Sequence, residues 1–254
     1  MNAPTLKTQE EIAIMREGGK ILARILHELA KKAQPGITTE MLDQEAEKLF
    51  TALKVKPSFK GYRGYPANIC ASVNEEIVHA IPGKRRLYEG DIITLDAGVL
   101  HKGFHTDSAV TVPVGTIKPE ITTFLKIVES ALYKAISIIR PGIKIGDLSE
   151  LIQKTVEKKG YSAVRDLTGH GIGKTLHEPP MIPNFGKKNT GLSLIPGMTI
   201  AIEPIVNMGE RFMKTLDDGW TIVTRDGSLS CQFEHTIVIT TKGAEILTCL
   251  ENIQ

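Results

Sequence analysis

Acidic side chains set inside apolar, β-forming runs are the feature that most constrains this chain. Asp96 ends Ile92-Ile93-Thr94-Leu95, and Glu203 ends Ile200-Ala201-Ile202. Asp107 and Glu234 each open a strand-like run, Ser-Ala-Val-Thr-Val in one case and His-Thr-Ile-Val-Ile in the other. A carboxylate carried into an apolar sheet loses its hydration, which is costly unless a positive charge neutralises it. Four such acids, joined by His170 in Gly169-His170-Gly171-Ile172-Gly173, point to a bound cation. Carboxylates with one imidazole are hard ligands that favour Mn, Fe(II), Co or Mg over sulfur-coordinated zinc. A pair of such ions is a common device for hydrolysis.

Helical periodicity predicts four helices. The first runs from Thr8 to Lys32, with Thr8 and Glu11 as a capping box and Ile14, Ile21, Ile25 and Leu29 as its apolar stripe. Pro35-Gly36 stops it, and a second runs from Thr39 to Leu53. A third runs from Pro119 to Ile139, ends at Pro141-Gly142, and a fourth spans Gly146 to Lys159. Pro35-Gly36-Ile37 thus recurs as Pro141-Gly142-Ile143, 106 residues on. The segment from Leu87 to Asp96 likewise resembles Leu194 to Glu203 at an offset of 107, which places acid on acid. We therefore expect an α+β fold in a single domain over 1–254. Its two pseudo-symmetric halves, roughly 8–115 and 116–250, would bring their acids together at a shared antiparallel sheet.

Asp96 and Asp107 lie in a hairpin-like stretch from Asp91 to Val114. A turn at His101-Lys102 would set them directly opposite, with Cβ atoms about 4.5–5.5 Å apart. A turn at Lys102-Gly103 would move them out of opposition. His105 and His235 adjoin the acids, and strand alternation is expected to send both to the opposite face. His27 and His101 are expected at the surface. Taken singly, each aspartate is equally well read as an edge-strand surface residue, and each histidine as a structural one; the set is what carries the inference.

Composition bounds the rest. Hydrophobic content of 41% and charged content of 24% suit a globular core, and a net charge of +2 excludes an overall basic field for gripping nucleic acid. Lys84-Arg85-Arg86 and Lys187-Lys188 are expected to be solvated loops. The opening MNAPTLKTQEE reads as no signal peptide, and no apolar run reaches a membrane span. Cys70, Cys231 and Cys249 form no CxxC pair, which suits reduced thiols in a cytoplasm.

The residues above, with Cys70-Ala71-Ser72-Val73-Asn74-Glu75 running to His79, Leu95-Asp96-Ala97-Gly98, His170 to His177, Ile202-Glu203-Pro204 and Phe233-Glu234-His235-Thr236, resemble those of the type I methionine aminopeptidases of the short bacterial kind, over essentially the full chain. The resemblance implies the two-halved pita-bread fold and a dinuclear centre. Asp96, Asp107, His170, Glu203 and Glu234 would be its ligands, with Asp107 and Glu234 bridging two divalent ions (Co, Mn, Fe(II) or similar). It implies removal of the initiator methionine from nascent chains whose second residue is small. Glu203 would shuttle a proton, His79 and His177 would contact the substrate, and Tyr62, Tyr65, Cys70 and Trp220, with Phe59 and Leu176, would form an apolar methionine pocket. Cys70 would be a pocket wall rather than a nucleophile. Ala80 stands where a glycine is usual, and Leu176 where a phenylalanine is common, which bears on the pocket's shape. Nascent substrates imply a transient ribosome contact, for which Arg211 and Lys214 are candidates. The alternatives are an X-Pro aminopeptidase or prolidase, whose usual additional N-terminal domain has no counterpart here, and a non-catalytic pita-bread module, which would have lost ligands.

Overall fold

A computed structural model describes residues 4–250, so the first three residues of the MNAPTLKTQEE stretch lie outside the described residues. Among the described residues there are four α-helices: α1 (Gln9–Lys32), α2 (Thr39–Ala52), α3 (Pro119–Ser137) and α4 (Ile145–Glu157). Thr8 caps α1 and forms the expected box with Glu11. The buried face of α1 is Ile12, Met15, Gly18, Gly19, Leu22, Ile25, Leu26 and Leu29. Ile25 and Leu29 sit as expected, whereas Ile14 and Ile21 are only half-buried at its margin. The reason is two glycines that an apolar count overlooks. A Cβ on Gly19 would lie 2.2 Å from the Leu247 carbonyl oxygen, and one on Gly18 would lie 3.2 Å from the His101 Cβ, so the helix presses against its neighbours there without a side chain between.

Nine strands make the main sheet: β1 (Lys56–Pro57), β2 (Cys70–Val73), β3 (Ile92–His101), β4 (Phe104–Pro113), β5 (Thr168–Gly171), β6 (Glu178–Pro183), β7 (Thr199–Ile202), β8 (Glu234–Ile239) and β9 (Ala244–Ile246). The order is β1-β3-β4-β8-β7-β5-β6, with β2 added to β3 and β9 to β8, and all of these pairs are antiparallel. Strands before and after the α3–α4 pair meet at the β4–β8 seam, where Glu234 pairs with Ala109. The first helix pair packs over one cluster of core residues and the second over another: Leu22, Ile25, Leu42 and Phe50 belong to the former, and Phe124, Val128, Leu148 and Ile152 to the latter.

The two Pro-Gly-Ile turns make the same hydrogen bonds. Gly36 N donates to Leu87 O and Leu87 N to Ile37 O, each at 2.8 Å; Gly142 N donates to Leu194 O and Leu194 N to Ile143 O, each at 2.8 Å. Gly36 and Gly142 have φ of 94° and 88°, a backbone region open to glycine at little cost.

The choice between the two hairpin turns is settled, and three expectations are corrected. The β3–β4 turn is Lys102-Gly103, with φ of 46° and 86°, because a two-residue hairpin of matching twist needs positive φ at both positions. Asp107 therefore opposes Gly98, and Asp96 opposes Ala109, so the acids share a face as diagonal neighbours; Asp107 also lies inside β4 rather than opening it. Arg85 is no solvated loop residue, since it pairs with Glu75 at 2.9 Å and Glu76 at 2.7 Å. His101 is partly covered and meets Glu17 at 3.0 Å, whereas His27 is exposed as expected.

Candidate metal centre and substrate cleft

The sheet seam delivers the acids to one place. Asp96 comes from β3, Asp107 from β4, His170 from β5 and Glu234 from the first position of β8, while Glu203 follows the last residue of β7. Neighbouring polar side chains fix the seam: Thr236 Oγ1 accepts from Asp107 N at 2.9 Å and donates to Asp107 O at 2.7 Å, and Ser108 Oγ donates to Glu234 O at 2.7 Å. The glycines around His170 serve the packing of strands. A Cβ on Gly169 would lie 2.4 Å from Ala201 O, and one on Gly171 would lie 2.2 Å from Pro179 O.

Ligand atoms of Asp107, His170 and Glu234 all lie within 4.8 Å of one another. His170 Nε2 is 3.9 Å from Asp107 Oδ2 and 3.8 Å from Glu203 Oε1. Asp96, the diagonal neighbour of Asp107 on the β3–β4 ladder, completes the group and lines the same cavity. His170 Nδ1 lies 2.9 Å from Gly171 O; a carbonyl only accepts, so Nδ1 carries the proton and Nε2 offers its lone pair to the acids.

Burial makes this arrangement untenable for charged carboxylates alone. It pushes Asp96 up to about 7, and it holds Asp107, Glu203 and Glu234 well above the carboxylate range, with neighbouring acids adding to the effect. Asp96 Oδ1, Asp107 Oδ1 and Glu234 Oε1 are buried without any hydrogen-bond partner. Orphaned acceptors converging with a free imidazole lone pair are what a divalent cation would satisfy, so the residues fit the expected group.

The acids form the floor of a cavity of 340 Å³, whose walls include every sequence-predicted pocket residue: Phe59, Tyr62, Tyr65, Cys70, His79, Leu176, His177 and Trp220. Pocket wall and core are here the same thing, because Phe59, Tyr65, Cys70 and Leu176 belong to one buried cluster. Trp220 stands edge-on to Tyr65 at 5.1 Å and to His79 at 6.3 Å. The Tyr65 hydroxyl is 3.0 Å from the carbonyls of both Ile69 and Ala80, which anchors its ring. Cys70 pairs with Asp96 across β2–β3, and burial with that acid's charge pushes its thiol well up, so it is a wall and no nucleophile.

His79 has φ of 59°, an uncommon backbone for a residue with a side chain, held just after the strand Glu76–Val78. His177 Nδ1 lies 2.8 Å from the Tyr62 hydroxyl, and its ring is 4.3 Å from the His170 ring. Burial lowers His79, and burial with the nearby His170 lowers His177 to about 3, so both are neutral.

His105 is a correction. It stands two positions from Asp107 on an unbroken ladder and so shares the face of Asp107, with Nδ1 2.9 Å from Ser58 Oγ. His235 does point away, bonding Tyr133 at 3.1 Å and Thr248 at 2.9 Å. Gln232 was not expected: its Nε2 lies 3.3 Å from Glu203 Oε2 and 3.4 Å from Glu234 Oε2, so one amide orients two acids. Its place two residues before Glu234 was the available signal. Arg63 on the cavity rim was also not expected.

A buried cluster of carboxylates and imidazole at the floor of an apolar cleft defines the class of hydrolytic metalloenzymes. The model of metallopeptidase family M24 matches residues 13–241. Methionine aminopeptidase 1 of Bacillus subtilis is 50% identical over 95% of this chain and 98% of its own length. The crystal structure of methionine aminopeptidase from Thermotoga maritima superposes with a TM-score of 0.96 and 45% identity, covering 98% of this chain and 100% of that one. A prolidase from Pyrococcus horikoshii shares the fold at a TM-score of 0.78 and 22% identity, and the chain spans 97% of itself but 64% of that protein. The chain belongs to metallopeptidase family M24, among its methionine aminopeptidases.

Proposed function

We propose that this protein removes the N-terminal methionine from nascent proteins and peptides whose second residue is small, as its relatives' name suggests. The observation that carries the reading is the cleft itself: orphaned acids on its floor beside a wall of aromatic and aliphatic side chains.

Asp96, Asp107, His170, Glu203 and Glu234 would hold two divalent ions, of the Co, Mn or Fe(II) type. When bound, these supply Lewis-acid charge that acidifies water and stabilises charge on the scissile carbonyl. The methionine side chain lies against Tyr65, Cys70 and Trp220, with its free amine at the floor, so only chain termini fit. Tyr62 accepts or donates at His177 Nδ1, which leaves Nε2 to face the substrate carbonyl, while His79 faces the scissile nitrogen. Glu203, steadied by Gln232, carries the proton from the attacking water to the departing amine. Leu176 leaves part of the wall less aromatic, which Phe59 offsets from the same cavity.

We infer further that 1–254 is one catalytic domain of two duplicated halves, 8–115 and 116–250, a reading supported by the matching turn hydrogen bonds. Nascent substrates place the work in the cytoplasm, and among the described residues no helix is long and apolar enough to cross a membrane. A transient ribosome contact would use Arg211 and Lys214, the latter exposed on the strand Met213–Thr215. The test is hydrolysis of Met-Ala-Xaa against Xaa-Pro peptides by the metal-loaded protein. Release of methionine is expected, and cleavage confined to Xaa-Pro would overturn the reading.

A further inference from the structure

The methionine pocket and the acids account for the first residue of a substrate, but one charge at the cleft has no task in that scheme. Arg63 lines the same cavity as the acids, and it is exposed where they are buried. A peptide whose amine sits at the floor has only the open side through which to leave, so its later residues pass the rim. The guanidinium lies 5.4 Å over the Tyr62 ring, and the Tyr62 hydroxyl is 2.8 Å from His177. Arg63 is therefore one aromatic ring away from the histidine that faces the scissile bond.

The turn that presents it is built for the purpose. Arg63 has φ of 49°, between Gly61 at 87° and Gly64 at 91°. Hydrogen bonds from Gly61 N to Tyr65 O at 2.8 Å, Tyr62 N to Phe59 O at 2.8 Å and Gly64 N to Gly61 O at 3.2 Å close the loop around it. A left-handed backbone under a long side chain persists only where its surroundings impose it, and such residues cluster at ligand clamps. Other cations are matched: Lys60 meets Glu47 at 3.1 Å, and Lys7 meets Glu178 at 2.5 Å. Among the described residues no carboxylate pairs with Arg63, whose guanidinium rests over the Tyr62 ring.

We propose that Arg63 is a specificity-determining residue that recognises a carboxylate three to five residues from the substrate's N-terminus. That carboxylate is an acidic side chain of a long chain, or the free C-terminus of a short peptide. The inference rests on the methionine-removing reading and deepens it. The planar guanidinium pairs a carboxylate through two parallel hydrogen bonds and disfavours lysine at the same place.

The test uses the metal-loaded full chain with C-terminally amidated Met-Ala pentapeptides carrying Glu, Gln or Lys at residue three, four or five. The expected order of kcat/KM is Glu over Gln over Lys, with about threefold to fivefold between the extremes at low salt, shrinking as salt is added. Arg63→Glu is expected to invert the order, and Arg63→Lys to keep its sign. A second arm compares Met-Ala-Ala-Ala as free acid and as amide, which separates a terminal carboxylate from a side-chain one. Equal rates across the wild-type panel and both tetrapeptides, or an order that survives Arg63→Glu, would refute the proposal. If wild type cleaves the Gln and Lys peptides as well as the Glu peptides at every position, the methionine reading stands while this one falls. If it cleaves none of them, both fall.

Discussion

The Tyr62 hydroxyl lies 2.8 Å from His177 Nδ1, which joins the loop Gly61–Tyr65 to the loop that follows β5. The bond fixes the ring of a histidine that lines the cleft beside His170. Tyr62→Phe removes one hydrogen bond of about 1 kcal/mol, so kcat/KM is expected to fall roughly fivefold to tenfold. Metal content should not change, because Tyr62 touches no acid of the floor, and the melting temperature should fall by no more than about 2–4 °C. Steady-state kinetics beside a thermal melt decides it; a destabilised variant with normal kcat/KM would assign Tyr62 to packing alone.

Lys7 and Glu178 form a covered ion pair at 2.5 Å, with side chains 4% and 9% exposed. Burial acts to raise Glu178, yet the hydrogen bonds from Lys7 and Thr5 carry it below its ordinary range. Removing one partner strands a buried charge, so Lys7→Ala is expected to cost about 3 kcal/mol, or about 6–12 °C in Tm. Because the folded pKa of Glu178 is depressed, this contribution is present above the ordinary carboxylate pKa and fades as pH falls through the folded value. Calorimetry at pH 7 and pH 3 should show a large difference and then a small one; equal differences would contradict the pairing.

The floor acids have the opposite sign. Their folded pKa values lie above the unfolded ones, so in metal-free protein their contribution is full below pH 4 and is lost as pH rises through about 7, the value for Asp96. A cation takes the deprotonated forms, so its uptake expels protons and tightens with pH. The gap in Tm between metal-loaded and chelated protein should therefore widen from pH 5 to pH 8. Calorimetric titration in buffers of different ionisation heat should report proton release; none would contradict a carboxylate centre.

Much of this was legible in the sequence because burial of an acid is a strong signal, and Asp96 and Glu203 recur 107 residues apart, in step with two Pro-Gly-Ile turns 106 residues apart. What escaped were matters of register and contact. The parity of His105 with Asp107 was misjudged, and the turn at Lys102-Gly103 decides a pairing that periodicity alone leaves open by two residues. Gly18 and Gly19 let the helix press against His101 and Leu247, yet carry no hydrophobic weight. Gln232 and Arg63 matter through what they meet in space, for which a linear chain offers only faint cues.

The most direct test of the central claim, that the buried acids exist to hold catalytic cations, is metal uptake and Met-Ala-Ala hydrolysis by wild type and Asp107→Asn in one titration. Wild type should be inactive after chelation and recover with Co, Mn or Fe(II) as about two equivalents bind. Asp107→Asn should keep its fold by circular dichroism, bind metal more weakly and lose at least about a hundredfold in turnover. Turnover retained by the variant, or by chelated wild type, would contradict the account.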